Sequence, residues 1–127
     1  MFNSTKITSV KGVAPTQILF NTQNQVSVGV VVSNAVSSQT VDGRKIVKAG
    51  TPLTGDLTTR TTAFTAAGES DAVGVLLHDV DVTEGNANGT LLIWGFVNLD
   101  RIDSTTQALL TSGVKGFLSG KVYFLKD

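Results

Sequence analysis

Through Gln25-Val26-Ser27-Val28-Gly29-Val30-Val31-Val32-Ser33, valine alternates with small or polar residues, the period-two, β-branched pattern of a half-buried strand. Two later runs are apolar at successive positions: Ala72-Val73-Gly74-Val75-Leu76-Leu77-His78-Asp79-Val80-Asp81-Val82 and Leu91-Leu92-Ile93-Trp94-Gly95-Phe96-Val97-Asn98. Neighbouring side chains on a strand point to opposite sides. Leu91, Ile93 and Val97 are therefore expected on one face, and Leu92, Trp94 and Phe96 on the other. One apolar face serves the domain core. The other requires a second layer or a partner subunit, which points to assembly rather than to a catalytic cleft.

Turn chemistry divides the rest of the chain. Asp42-Gly43 predicts a tight turn into a short strand over Arg44 to Lys48, which Ala49-Gly50-Thr51-Pro52 ends. The threonine-rich stretch from Thr51 to Ser70 reads as a long surface excursion with a short strand or turn inside it. Asn88-Gly89 tolerates positive φ and predicts a turn between the two strongest strands, which then pair. Ser104-Thr105-Thr106-Gln107 has the form of a capping box and Gly113 offers a stop, predicting one short helix over Ser104 to Ser112. Val122 to Leu125 supplies a closing strand.

Residues 1 to 25 satisfy the helix and strand periods only weakly. They are polar, with isolated Phe2, Ile7, Val10 and Val13 and a short Ile18-Leu19-Phe20 cluster. They read as an extended N-terminal arm ahead of a single β-rich domain over residues 26–127. The predicted fold class is mainly β: a compact sandwich- or barrel-like domain with one short helix and the arm.

Composition narrows the functions available. The 127 residues suit one domain, and glycine, serine and threonine interrupt every apolar run before it reaches membrane-spanning length. Ten basic and ten acidic residues cancel, removing the positive footprint of a protein that neutralises nucleic-acid phosphates. With no cysteine there is no disulfide framework, thiolate nucleophile or thiolate metal site. The first residues lack the basic start and apolar stretch of a secretory signal, so the protein is expected to act where it is made or in a particle assembled there.

Candidate chemistry is sparse. His78 is the single histidine, and its neighbour Asp79 points to the opposite strand face, where it cannot orient the imidazole for a catalytic triad. Asp79, Asp81 and Glu84 form the best acidic cluster. Asp79 and Asp81 share a face, as a hard cation or acid–base pair would require, but the residues that follow do not continue as a calcium loop. A solvated strand end that discourages edge pairing is the expectation there. Gly85 to Thr90 leads into a strand and lacks the lysine of a phosphate-binding loop, while Trp94 and Phe96 lack the interleaved arginine and lysine of a stacking platform. No catalytic residue, metal or cofactor is expected.

Against that background the chain resembles the head decoration, or capsid cement, proteins of tailed bacteriophages. The resemblance lies in Lys48-Ala49-Gly50-Thr51-Pro52-Leu53, in Ala72-Val73-Gly74-Val75-Leu76-Leu77, and in Gly95-Phe96-Val97-Asn98 running into Ile102. It implies a non-enzymatic protein that adds to the outside of an expanded head as a homotrimer, with the major capsid protein as partner. It also implies a virion location on the outer capsid surface after assembly in the host cytoplasm. In such families an N-terminal arm adds a strand to a capsid sheet edge. Phe2, Ile7, Val10 and Val13 are the candidate anchors here by position, and Leu92, Trp94 and Phe96 the candidate trimer or core contacts. Two other readings are a β-rich carbohydrate- or receptor-binding module displaying its threonine-rich loops, and a trimeric hydrolase using Asp79 or Asp81 as base.

Overall fold

The computed structural model describes residues 17–126. In chain order these form β1 (Val26–Val32), β2 (Gln39–Val41), β3 (Arg44–Val47), β4 (Pro52–Thr54), β5 (Thr65–Ala66), β6 (Gly74–Leu76), β7 (Val80–Asp81) and β8 (Ala87–Asn98). A 3-10 turn (Leu99–Arg101), α1 (Ser104–Gln107), α2 (Ser112–Phe117) and β9 (Val122–Leu125) follow. The protein is mainly β, as its patterning predicts. The larger sheet runs β1-β8-β6-β4-β5 with antiparallel neighbours, β9 lies parallel to the far end of β8, and β2-β3-β7 make a smaller antiparallel sheet.

β8 is the spine of the larger sheet, and its two leading leucines enter different cores. Leu91 joins a cluster that takes side chains from both sheets, including Val30, Val32, Leu53 and Leu76 from the larger and Val47 and Val80 from the smaller. Leu92 points the other way, into a cluster closed by Ile18, Leu19, Ile102, Leu110, Val114 and Leu118. The second apolar face therefore finds its layer within the chain, in α2 and its C-cap, the turns flanking α1 and the segment before β1. A partner subunit is not needed to cover Leu92, which is fully buried.

The simple alternation expected for residues 91–97 also fails, for a local reason. β1 pairs Val26 with Trp94 but Ser27 with Leu92, so Ile93 is skipped in a bulge, and Gly95 follows with φ +155°. The two irregularities change the strand's phase. Val97 ends in the same cluster as Leu92, Ile93 packs against the cluster of Leu91, and Trp94 turns outward.

The long apolar run 72–82 is two strands in two sheets. β6 pairs with β8 through Val75 opposite Leu92, bearing out the predicted pairing of the two strongest segments. The chain then swings over, and β7 pairs with β3. Asp79 holds the crossover: its carboxylate accepts from the Ala49 amide at 2.8 Å and from Lys48 Nζ at 3.2 Å. Asn88-Gly89 is not a turn but lies inside β8, opposite Val31 and Val30. A side chain at Gly89 would meet Val80 Cγ2 at 2.8 Å and Val32 Cγ2 at 3.0 Å, so close packing selects the glycine.

The predicted single helix is two. Asp103 caps α1 in place of Ser104, accepting from the Thr105 and Thr106 amides at 3.1 and 3.3 Å, while Thr111 caps α2. Gln107 does not reach back to its own helix start; its amide donates to the carbonyls of Leu99 and Ile102. Gly113 lies within α2 rather than ending a helix. Within the expected arm over 1–25, Ile18 and Leu19 are core residues, and Leu19 bridges to Val97. The candidate anchors Phe2, Ile7, Val10 and Val13 lie outside the described residues.

Candidate association surface

Beyond Gly95 the spine changes neighbours. β9 runs alongside it with Tyr123 opposite Phe96 and Leu125 opposite Asn98, and on the other side the Phe20 amide donates to the Phe96 carbonyl at 2.8 Å. Val97, Val122 and Leu19 turn inward; Phe20, Trp94, Tyr123 and Leu125 are exposed, with Phe96 half-buried between them. Strand alternation makes this division. Each inward residue needed for the core forces the next to the outside.

The outward rings form a ridge. Trp94 and Phe96 meet edge to face, with centroids 5.9 Å apart and planes at 76°, and Phe96 stacks on Tyr123 at 5.2 Å and 19°. Such pairs hold each other's rotamers, so the ridge is preorganised for contact. Of the residues assigned to trimer or core contact, Leu92 is core, whereas Trp94 and Phe96 are outward and adjacent. The sequence reading did not select Phe20, Val26, Tyr123 or Leu125. The signal for Tyr123 and Leu125 was present in the alternation of Val122-Tyr123-Phe124-Leu125.

The acidic cluster is taken apart by its partners. Asp79 is spent on Ala49 and Lys48. Asp81 is held by the Arg44 guanidinium and by the hydroxyl and amide of Thr83, and these hydrogen bonds, Arg44's first, lower its pKa from 3.8 to about 2. Glu84 is exposed and lies 3.7 Å from the same arginine. Asp79 and Asp81 thus face different cations and tie β3 and its following turn to the crossover and β7. His78 sits exposed on that crossover. Among the described residues, no group of three or more histidine or acidic side chains is placed to hold a metal ion.

The threonine-rich excursion contains β4 and β5, and its middle lies beside β1. Between them is an open cleft of about 640 Å³, lined by Thr58, Thr59, Arg60, Thr61 and Asn88 among others. Arg60 Nη1 donates to the Gly29 carbonyl at 2.8 Å, anchoring the loop to the strand. The Asp56 carboxylate is pushed below its usual pKa by the hydroxyl and amide of Thr58. Its hydrogen bonds shape the loop tip. Comparison of the chain with protein-family models and with curated proteins returns no match.

Proposed function

We propose that this chain is a structural virion protein that binds the outer surface of a bacteriophage capsid as a trimer and stabilises the expanded head. The observation that carries the reading is the convergence of the three segments that resemble head decoration proteins. The Gly50 amide donates to the Leu76 carbonyl at 2.7 Å, and the Leu76 amide returns a bond to Thr51 at 2.9 Å. Gly50 has φ +98°, and Ile102 packs so close that a side chain there would meet its Cδ1 at 2.9 Å. Ala49, Ala72, Val75, Leu77, Val97 and Ile102 share one core cluster. The three segments thus pack against one another, with Leu53 and Leu76 entering the second cluster, and this contact between them is what supports a shared architecture.

The committed carboxylates agree with a non-enzymatic role. Asp79, Asp81 and Asp103 each accept the hydrogen bonds of turns, caps or neighbouring strands, which suits a rigid scaffold. The N-terminal arm, with Phe2, Ile7, Val10 and Val13 as its anchors, then supplies the capsid contact. Ordering one arm on the capsid costs about 1–2 kcal/mol of backbone entropy per residue, so one arm binds weakly alone. Three segments on one trimer act at high effective concentration and gain orders of magnitude in avidity. Each trimer would clamp adjacent capsid subunits and favour the assembled head by mass action.

Deleting residues 1–15 is expected to leave the thermal unfolding of the domain intact while abolishing its co-sedimentation with undecorated expanded heads. Undiminished attachment would refute the role of the arm. Indifference of the full chain to such heads would refute the capsid reading.

A further inference from the structure

We propose that the outward face of β8 and β9 is where copies of this chain meet, through Phe20, Val26, Trp94, Phe96, Tyr123 and Leu125. The inference deepens the trimeric reading above and rests on it for the number of copies; the surface itself is argued from its geometry. Val26 is the register partner of Trp94, Tyr123 that of Phe96, and Phe20 is bonded to the Phe96 carbonyl, so the six positions adjoin across four neighbouring segments. Phe20, Val26, Trp94, Tyr123 and Leu125 are between 37% and 49% exposed.

Area argues for a protein partner of modest footprint. At roughly 150–250 Å² for a large aromatic and less for Val and Leu, that exposure leaves about 400 Å² of surface, most of it apolar, in one patch. A standard interface removes about 800 Å² per partner, slightly more than half of it apolar, which asks for about 450 Å². The patch supplies about the apolar centre of one such interface.

The rings brace one another: Phe96 and Tyr123 stack, and Trp94 meets Phe96 edge to face. What they present outward is an apolar ridge suited to a groove between side chains.

Charge favours a like partner. No ionisable group that is charged at neutral pH stands among the six, and the chain's ten basic and ten acidic residues cancel, so two copies approach without long-range repulsion. Lys121 and Lys126 bracket β9, the usual guard against strand addition at an exposed edge. Copies therefore pack face on rather than by extending the sheet. Placed at the threefold axis that the trimeric reading supplies, each ridge would meet its two counterparts.

The full chain supplies its own reporter, because Trp94 is the single tryptophan. Sedimentation equilibrium of the full chain is expected to give the mass of a trimer, and the Trp94 emission to shift to the blue as concentration rises through the association range. Trp94→Glu and Tyr123→Glu should weaken association by about 30-fold or more, the size of an interface hot spot, with circular dichroism unchanged. Leu57→Glu, at an exposed apolar residue in the threonine-rich loop, should leave the mass unchanged. A wild-type chain with single-chain mass and unshifted emission would overturn the proposal, as would trimers that persist in both ridge variants. If the variants do not fold, the wild-type emission still decides. Head binding is scored separately: trimers that ignore heads sink the capsid reading alone, and single chains that bind heads sink this inference alone.

Discussion

The two halves of β8 have similar composition and different fates. From Ala87 to Ile93 the strand lies between β1 and β6, with Leu91 and Leu92 sealed into separate cores. Beyond Trp94, still paired with Val26, it lies between the Phe20 segment and β9, where Val97 and Asn98 are buried while Trp94 is exposed and Phe96 half-buried on the outward face. An apolar residue on each side of a strand does not by itself ask for a partner molecule. What decides is how many layers the chain folds over each side, and here the first half receives two and the second half one. The bulge at Ile93 and the conformation of Gly95 mark the boundary.

The sharpest way to break this comparison is to hollow each core from the first half. Leu91→Ala and Leu92→Ala should each destabilise by about 2–5 kcal/mol in urea unfolding, because each leaves a cavity in a closed cluster. Tyr123→Ala, measured where the chain is monomeric, should cost under about 1 kcal/mol. A small loss at Leu92 would mean that the helices and the Ile18-Leu19 segment do not close that face, and the two halves would no longer differ.

Gly95 tests the boundary itself. Its φ of +155° is one that side-chain-bearing residues rarely adopt, and a Cβ there would lie 3.2 Å from both Gln25 Cβ and Leu92 Cδ1. Gly95→Val should cost about 1–3 kcal/mol through strain and crowding. The same change should reorder the ridge, since Trp94 and Phe96 flank the glycine. A shifted near-ultraviolet circular dichroism signal from the aromatic pairs would report that. An unchanged spectrum with unchanged stability would show that the phase change does not depend on this residue.

How far the sequence discloses these features depends on how local their causes are. β1, the turn at Asp42-Gly43 and β9 are legible because alternation and turn chemistry act within a few residues. The pairing of β6 with β8 is legible because each lies in an intensely apolar run. The split of 72–82 into two sheets is not, because it depends on Asp79 finding the Ala49 amide and Lys48, about thirty positions away. Gly89 looks like a turn residue in one dimension and proves to be a site of close approach to Val80 and Val32. Ser104 satisfies the capping pattern, yet Asp103 one residue earlier takes the same amides. For the surface, Trp94 and Phe96 could be named, but not their outward direction, which depends on the bulge and on a helical layer whose helices are too short to announce themselves.

The smallest effect separates the two layers that cover the first half of β8. Asp81 in β7 is bonded by Arg44 of β3 and so fastens the smaller sheet over the Leu91 side, while the Leu92 side is covered by helices with no share in that pair. Its folded-state pKa of about 2 lies below the ordinary 3.8, so the carboxylate stabilises the fold above about pH 4. That contribution fades as pH falls from 3.8 through 2, where the native state must also take up the proton. For a partly exposed pair it amounts to about 1 kcal/mol or less. Asp81→Asn should therefore lower the urea midpoint slightly at pH 7, with the wild-type and variant midpoints converging toward pH 2. Hydrogen exchange at pH 7 should quicken for β3 and β7 amides in the variant and stay unchanged in α1 and α2. Equal quickening on both sides would mean that the two covering layers open as one unit, so that the faces of β8, though sealed by different elements, are not separately stabilised.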